Sequence, residues 1–299
     1  KRSSCAVVVI GRSAGEDREN TLKKGSYYLT DDETALLDKV TANFKNTVVL
    51  INSGNIIDMS WMNKYGDKLG AVLYVWQGGM ESGNAIGGVL SGKVSPSGKL
   101  PDTIADCYES YPAAKNFGKK TYNNYAEDIF VGYRYFETFA PEKVMFPFGF
   151  GLSYTTFEYS DLKVSADSIK DTDTLKVSFK IKNTGDRDGA EVAELYVAQE
   201  NSTIFRPEKE LKGFKKVFLK AGEEKEVEIE LSKRAFAFYD VDLGDWHVET
   251  DNYKILVGAS SRDIRLEGSV KVESTVDAPV KDLRENMPAY YSADVMNVP

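Results

Sequence analysis

The hydrophobic period changes once along this chain, near Phe157, and that change constrains the fold more than any other feature. Before it, apolar residues come in short unbroken runs rich in β-branched side chains: Cys5-Ala-Val-Val-Val-Ile10, Thr47-Val-Val-Leu-Ile51 and Ala71-Val-Leu-Tyr-Val-Trp76. Runs of this length and composition predict parallel strands buried on both faces. After it, Leu175, Val177, Phe179 and Ile181 alternate with Lys176, Ser178, Lys180 and Lys182, and Val227, Ile229 and Leu231 alternate with Glu226, Glu228 and Glu230. A period of two with one wet face predicts antiparallel strands.

Helical patterns separate the early runs. Thr30-Asp-Asp-Glu33 has the spacing of a capping box, and Leu36, Leu37, Val40 and Phe44 come after it at helical spacing, predicting a helix over about 30–45. Met80, Ala85, Ile86, Val89 and Leu90 predict a second helix, stopped by Ser91-Gly92 and then Ser95-Pro-Ser-Gly98. The βαβα order defines an α/β domain with a mostly parallel sheet. Only three strands are legible, fewer than the roughly five or six of a doubly covered sheet, so this sheet is expected to be partial.

In the second half, further strands are expected at 190–199, 211–219, 235–240, 246–249, 253–258 and 264–272, separated by turns such as Ala221-Gly-Glu and Asp242-Leu-Gly-Asp245. Such a series of short strands reads as an immunoglobulin-like β-sandwich. The expected organisation is therefore an α/β domain over 1–157, an all-β sandwich over 158–275 and an extended tail or linker over 276–299.

Composition narrows the chemistry. The 299 residues hold 38 Lys and Arg against 46 Asp and Glu, a net charge of −8 that argues against nucleic acid or an anionic membrane as partner and favours a neutral or polyhydroxy ligand. No apolar run approaches the roughly 18 residues of a membrane span. Two cysteines, Cys5 and Cys107, and the single histidine His247 cannot form the usual zinc sites, and no cofactor or metal is expected. The same cysteine usage leans towards a reducing, cytoplasmic setting. A nucleophile–histidine arrangement would have to use His247, whose neighbours Trp246 and Val248 point to strand packing instead, so carboxylates are the expected acid and base of any enzyme built here.

Four strings carry a more specific signal. Val7-Val-Val-Ile-Gly-Arg-Ser-Ala-Gly-Glu-Asp-Arg18, Ser91-Gly-Lys-Val-Ser-Pro-Ser-Gly-Lys-Leu-Pro101, Phe130-Val-Gly-Tyr-Arg-Tyr-Phe136 and Phe146-Pro-Phe-Gly-Phe-Gly-Leu-Ser-Tyr-Thr-Thr-Phe157 resemble, in order, glycoside hydrolase family 3. Downstream, Glu210-Leu-Lys-Gly-Phe214, Gly244-Asp-Trp246 and Tyr253-Lys-Ile-Leu-Val-Gly-Ala-Ser-Ser261 resemble the fibronectin-III-like domain of that family. The resemblance implies an enzyme of three parts: a (β/α)8 barrel with an Asp nucleophile, an α/β sandwich domain with a general acid/base Glu, and the fibronectin-like domain. A barrel needs about 250 residues and has no room here, so the nucleophile is expected on a barrel-bearing chain or segment outside these residues.

On this chain the resemblance places the acid/base at Glu16, in the long 11–29 connection past the carboxyl end of the first strand, where ligands bind in open α/β sheets. The family commonly reads Gly-Glu-Gly-x-Asp-Arg, whereas Gly15-Glu16 is succeeded at once by Asp17-Arg18. An apolar sugar site and a neighbouring nucleophile's charge would raise the pKa of such an acid. Read from spacing alone, Glu16 is more simply a solvated carboxylate paired with Arg12 or Arg18, and it is the resemblance that turns the reading towards an acid/base. Arg12 and Gln77 are the candidate substrate contacts; Gln77 lies in Trp76-Gln-Gly-Gly-Met-Glu-Ser-Gly83, where Glu81 offers a second polar group and where the glycines alternatively only let the helix start close to the sheet. Tyr122, Tyr125, Tyr133 and Tyr135 read either as sugar-stacking groups or as packing, and Arg134 as an interface residue bidentate to a carboxylate.

The expectation is thus part of a retaining β-glycosidase acting on β-glucosides or oligosaccharides, with a homo-oligomer left open. The competing expectation is a non-catalytic carbohydrate-binding or scaffold module, since fibronectin-like sandwiches often have no chemistry of their own. Phosphorolysis would call for a histidine-type acid or a phosphate site, and the sequence supplies neither a Walker A nor a Gly-x-Gly-x-x-Gly pattern.

Overall fold

The computed structural model describes residues 3–12, 21–118, 121–123 and 125–292. The chain divides into two compact units, Lys1–Lys93 with Asp106–Tyr108, and Val94–Ala105 with Glu109–Pro299. The change of period at 157 and this division do not coincide, because residues 94–105 and 109–157 are built into the unit that contains the sandwich.

In the first unit, β1 (Cys5–Gly11), β2 (Asn46–Asn52) and β3 (Leu69–Tyr74) form a parallel sheet in the order β1-β2-β3. Val7 pairs with Val48 and Val49 with Val72, so the apolar runs lie side by side. Central β2 buries Val49, Leu50 and Ile51, as expected of a doubly covered strand. Edge strand β1 departs from that expectation: Val8 and Ile10 are buried, but Val7 and Val9 are 49% and 58% exposed. Successive side chains point to opposite faces, and among the described residues only one face of β1 is covered.

Helix α1 (Asp31–Asn43) begins where the capping box places it: the Thr30 hydroxyl accepts from the Glu33 N–H at 3.0 Å, and the Glu33 carboxylate accepts from the Thr30 N–H at 2.8 Å. Leu37 and Thr41 are its buried residues, whereas Leu36, expected on the buried face, is 47% exposed, one position off the stripe. After the one-turn helix α2 (Met62–Tyr65), helix α3 (Ser82–Leu90) matches the second helical pattern but has no buried residue, and Met80 precedes it, exposed.

In the second unit, the short pair β4 (Ile104–Ala105) and β5 (Val144–Phe146) and helix α4 (Tyr133–Phe139) precede the sandwich. The sandwich strands are β6 (Phe157–Val164), β7 (Ser168–Lys170), β8 (Leu175–Asn183), β9 (Gly189–Gln199), β10 (Glu210–Leu219) and β11 (Glu224–Leu231), then, after the helical turn α5 (Lys233–Phe236), β12 (Phe238–Asp240), β13 (Asp245–His247), β14 (Asp251–Gly258) and β15 (Ile264–Glu273). One sheet runs β10-β9-β14-β15-β7 and the other β11-β8-β6, with β12 and β13 as a separate hairpin. The alternation read from sequence holds: Val177, Phe179 and Ile181 are buried with Leu195, Val197, Ile255, Val257, Val270 and Val272 in one core. On the wet face, Lys176 pairs with Glu228 and Glu230, and Lys180 with Asp161, cross-strand pairs that contribute little each.

Two expectations change in this unit, and one strand, β7, goes beyond them. The strand expected over 235–240 starts only at Phe238, because Ala235 and Phe236 enter the core from a helical turn. Strand β7, three residues long and paired in parallel with β15, is too short to show a period. The described part of the tail is not a free linker: a guanidinium Nη2 of Arg284 donates to the Ser202 carbonyl at 2.5 Å, the Tyr291 hydroxyl to the Thr203 carbonyl at 3.0 Å, and the Tyr291 ring lies 5.8 Å from Phe205.

Candidate active site

The carboxyl ends of the three parallel strands define the candidate site, and each contributes one connection. After β1 comes Arg12, whose side chain is 6% exposed and whose five N–H groups all have partners. Its Nε donates to the Ser26 carbonyl (2.9 Å), Nη1 to the Gly11 carbonyl (2.9 Å) and to Glu33 Oε1 (2.5 Å), and Nη2 to Glu33 Oε2 (2.9 Å) and the Tyr28 carbonyl (3.3 Å). Arg12, expected as a sugar contact, therefore has no donor left for a ligand: a guanidinium offers only five. It fastens the outgoing end of the 11–29 connection to its return and to the first turn of α1. Burial alone would push the Glu33 carboxyl up, but the Arg12 fork and the Thr30 amide overcome it and hold the pKa below the ordinary carboxylate value. Glu33 is thus also the carboxylate paired with Arg12.

Glu16 lies outside the described residues. The connection that carries it is bounded on the described side by Arg12 and by Thr21, whose N–H donates to the Ser26 hydroxyl at 3.0 Å.

After β2, the buried Ser53 hydroxyl donates to the Asn55 carbonyl at 2.9 Å, closing a tight turn around Gly54. After β3, the Val75 N–H still donates to the Ile51 carbonyl, but Trp76 then takes φ +52°, a left-handed conformation that costs a bulky residue about 1–3 kcal/mol and recurs at functional sites. The Trp76 ring lies 4.4 Å from that of Tyr74, whose hydroxyl accepts from the Ile57 N–H and donates to the Asn55 carbonyl. The reversal brings Gln77 against Gly54: a Cβ on Gly54 would sit 3.0–3.1 Å from the Gln77 amide atoms. Gln77, three residues past the end of β3, is thereby set beside the turn that comes after β2. Glu81, the other polar candidate, accepts a hydrogen bond from the Asn84 amide of the helix it opens.

The structure therefore joins Gln77 to Gly54, and Arg12 to Glu33, across connections that sequence reasoning treated separately. The missed partner of Arg12 was already visible as a capping residue; its second role needs contact across 21 positions. Trp76 carried no signal, since its conformation is set by the path the chain takes on leaving β3.

The remaining candidates are in the second unit. Tyr133 packs at 4.9 Å from Phe148 and its hydroxyl accepts from the Leu211 N–H at 2.7 Å, and Tyr135 packs on Phe136 and Phe139, so both serve packing. Tyr122 and Tyr125 are exposed. Arg134 meets Glu210 through one 3.4 Å contact and not through a fork, while Arg206 approaches the same carboxylate to 2.6 Å. His247 is buried in β13 with its ring edge-on to Phe238. Among the described residues, no three His, Cys, Asp or Glu side chains converge as a metal site, and Cys5 and Cys107 are exposed and form no disulfide.

An α/β unit open at its strand ends, preceding a fibronectin-like sandwich, is an architecture that known proteins share. Residues 1–154 match the glycosyl hydrolase family 3 C-terminal domain, and residues 191–261 match the fibronectin type III-like domain. The chain belongs to glycosyl hydrolase family 3. It is 44% identical over 280 residues to a β-glucosidase of Ruminococcus albus, covering 91% of this chain and 29% of that protein, and 43% identical over 275 residues to thermostable β-glucosidase B of Acetivibrio thermocellus, covering 92% and 36%. Among solved structures, a β-glucosidase from Paenibacillus barengoltzii superposes with a TM-score of 0.83 at 43% identity, over 92% of this chain and 30% of that one. The chain thus spans about a third of the length of the relatives it matches.

Proposed function

We propose that this chain is the acid/base-bearing portion of a retaining β-glucosidase, with Glu16 as the proton donor and an Asp nucleophile on a (β/α)8 barrel outside these residues. The observation that carries the reading is family membership combined with the place of Glu16 in the sequence, four residues after Arg12. In this mechanism two carboxyl groups about 5–5.5 Å apart divide the work. As the nucleophile attacks the anomeric carbon, the Glu16 carboxyl protonates the departing glycosidic oxygen; the resulting carboxylate then takes a proton from the water that breaks the glycosyl–enzyme bond. Arg12 supports this indirectly, by fixing the base of the connection that carries Glu16. Gln77 is the proposed substrate contact, at the end of the third strand.

Glu16→Ala in the complete enzyme tests the assignment. Turnover of substrates with poor leaving groups falls steeply, activated aryl glycosides lose much less, and azide restores turnover by attacking the glycosyl–enzyme. Equal loss on both substrate types removes Glu16 from the role.

A further inference from the structure

Among the described residues, Glu194 is a buried acid with no cation of its own. It sits on β9 with 4% of its surface exposed, and its hydrogen-bond partner is the Tyr196 hydroxyl, 2.5 Å away. Lys99 is the cationic side chain acting on it, but that ammonium pairs with Glu191, at 2.9 Å. What covers Glu194 is the Phe146-Pro-Phe-Gly-Phe150 turn. Gly149, at φ +81°, lies so close to the carboxyl that a Cβ there would overlap both oxygens. The turn is held by backbone bonds from the Gly149 N–H to the Leu100 carbonyl (2.8 Å), from Leu100 N–H to the Phe150 carbonyl (2.8 Å) and from Ser261 N–H to the Phe148 carbonyl (2.9 Å). The neighbouring strands bring no compensating charge: Glu194 pairs with Phe214 on β10 and Gly258 on β14. The other ionisable groups acting on this cluster are Glu191, Tyr133 and Glu137, and Tyr159 with Arg265 and Asp263 beyond it.

We propose that closure of the 146–151 turn over β9 is coupled to uptake of one proton by Glu194, so that the turn is a proton-linked latch holding residues 99–101 to the sandwich. An ionised carboxylate sealed under a glycine with a single hydroxyl partner lacks the charge compensation that burial demands, whereas a neutral carboxyl keeps the Tyr196 hydrogen bond with either atom as donor. Opening the turn hydrates Glu194 and releases its proton. Burial pushes the carboxyl up to about 7 in the closed form, with Tyr196 and Lys99 drawing it down and Glu191 raising it. Gly149 is required because only a residue without a side chain can lie on the carboxyl at that backbone angle.

Amide hydrogen exchange of the intact protein, corrected for intrinsic rates, tests the coupling at Gly149, Leu100 and Ser261. Because opening releases one proton, their protection should fall about tenfold per pH unit between pH 5 and pH 7, then level off above the closed-state pKa of about 7. In Glu194→Gln, which keeps the size and the Tyr196 contact, the same amides should show a flat profile. In Tyr196→Phe the levelling-off should move to higher pH, since the hydroxyl favours the ionised form. A flat wild-type profile, or the same slope in Glu194→Gln, overturns the latch. Should Glu194→Gln not fold, the carboxyl carbon of Glu194 titrated by NMR in the wild type decides: a midpoint near 7 upholds the proposal and a midpoint below 5 overturns it.

Discussion

The two units set the charge of an acid in opposite ways, one half-buried and one buried. In the α/β unit, Glu33 is fixed by the Arg12 fork and the Thr30 cap and its pKa is lowered. In the sandwich unit, Glu194 has one hydroxyl and a glycine, and its pKa rises to about 7. Burial penalises the charged form in both, so the partner decides the sign: a guanidinium fork with a capping amide outweighs desolvation and one phenol does not. The apolar surfaces differ as well. The sandwich closes two sheets on each other and buries Phe179 and Ile255 completely, while the parallel sheet leaves Val7, Val9 and the apolar side of α3 open among the described residues.

Removing the partner of the buried cation should have the largest effect of the substitutions. Glu33→Ala removes the carboxylate of the Arg12 pair together with the capping contact to Thr30, and should destabilise the α/β unit by about 1–3 kcal/mol in urea unfolding; a loss under about 0.5 kcal/mol would show that the fork does not support this unit. Acidity comes next and separates the two acids by sign. Glu194, raised from 4.5 to about 7, contributes stability that is full below pH 4.5 and is lost as pH rises through 7, about 3 kcal/mol in all. Glu33, lowered, contributes stability present above its unfolded pKa and lost as pH falls through its folded one. Urea midpoints tracked separately for each unit should therefore move in opposite directions between pH 3 and pH 8, and Glu194→Gln should abolish only the loss on the alkaline side.

Gly54→Ala should shift stability by less than about 1 kcal/mol, since the clash is with the mobile end of Gln77, yet it should displace that amide and raise KM in the complete enzyme with kcat little changed. An unchanged KM would remove Gln77 from substrate contact. Val9→Ser should be the mildest, within about 0.5 kcal/mol in this chain. The same substitution in the full-length protein should cost more if the rest of the polypeptide covers that face, and an equal cost there would show the face to be solvent-exposed throughout.

Legibility tracked the range of the interactions. The cap of α1 was readable because Thr30 and Glu33 are three residues apart and satisfy each other's backbone N–H groups. The alternation of β8 and β11 was readable because one face of each strand meets a core. Strand β7 was not, since three residues contain no period, nor was the docking of Arg284 and Tyr291 on the 202–205 segment about eighty residues earlier. At the candidate site, Arg12 and Gln77 were found as polar groups at strand ends, but their partners Glu33 and Gly54 lie 21 and 23 positions away and the sequence does not pair them.

The sequence by itself determined most of the element types, the order of an α/β region before a β-sandwich and the family, because local hydrophobic period and capping chemistry are properties of neighbouring positions. Only the tertiary structure decided that Arg12 is committed to Glu33 and that Glu194 is sealed beneath Gly149, because a buried charge takes its state from whatever the fold brings within a few ångströms of it.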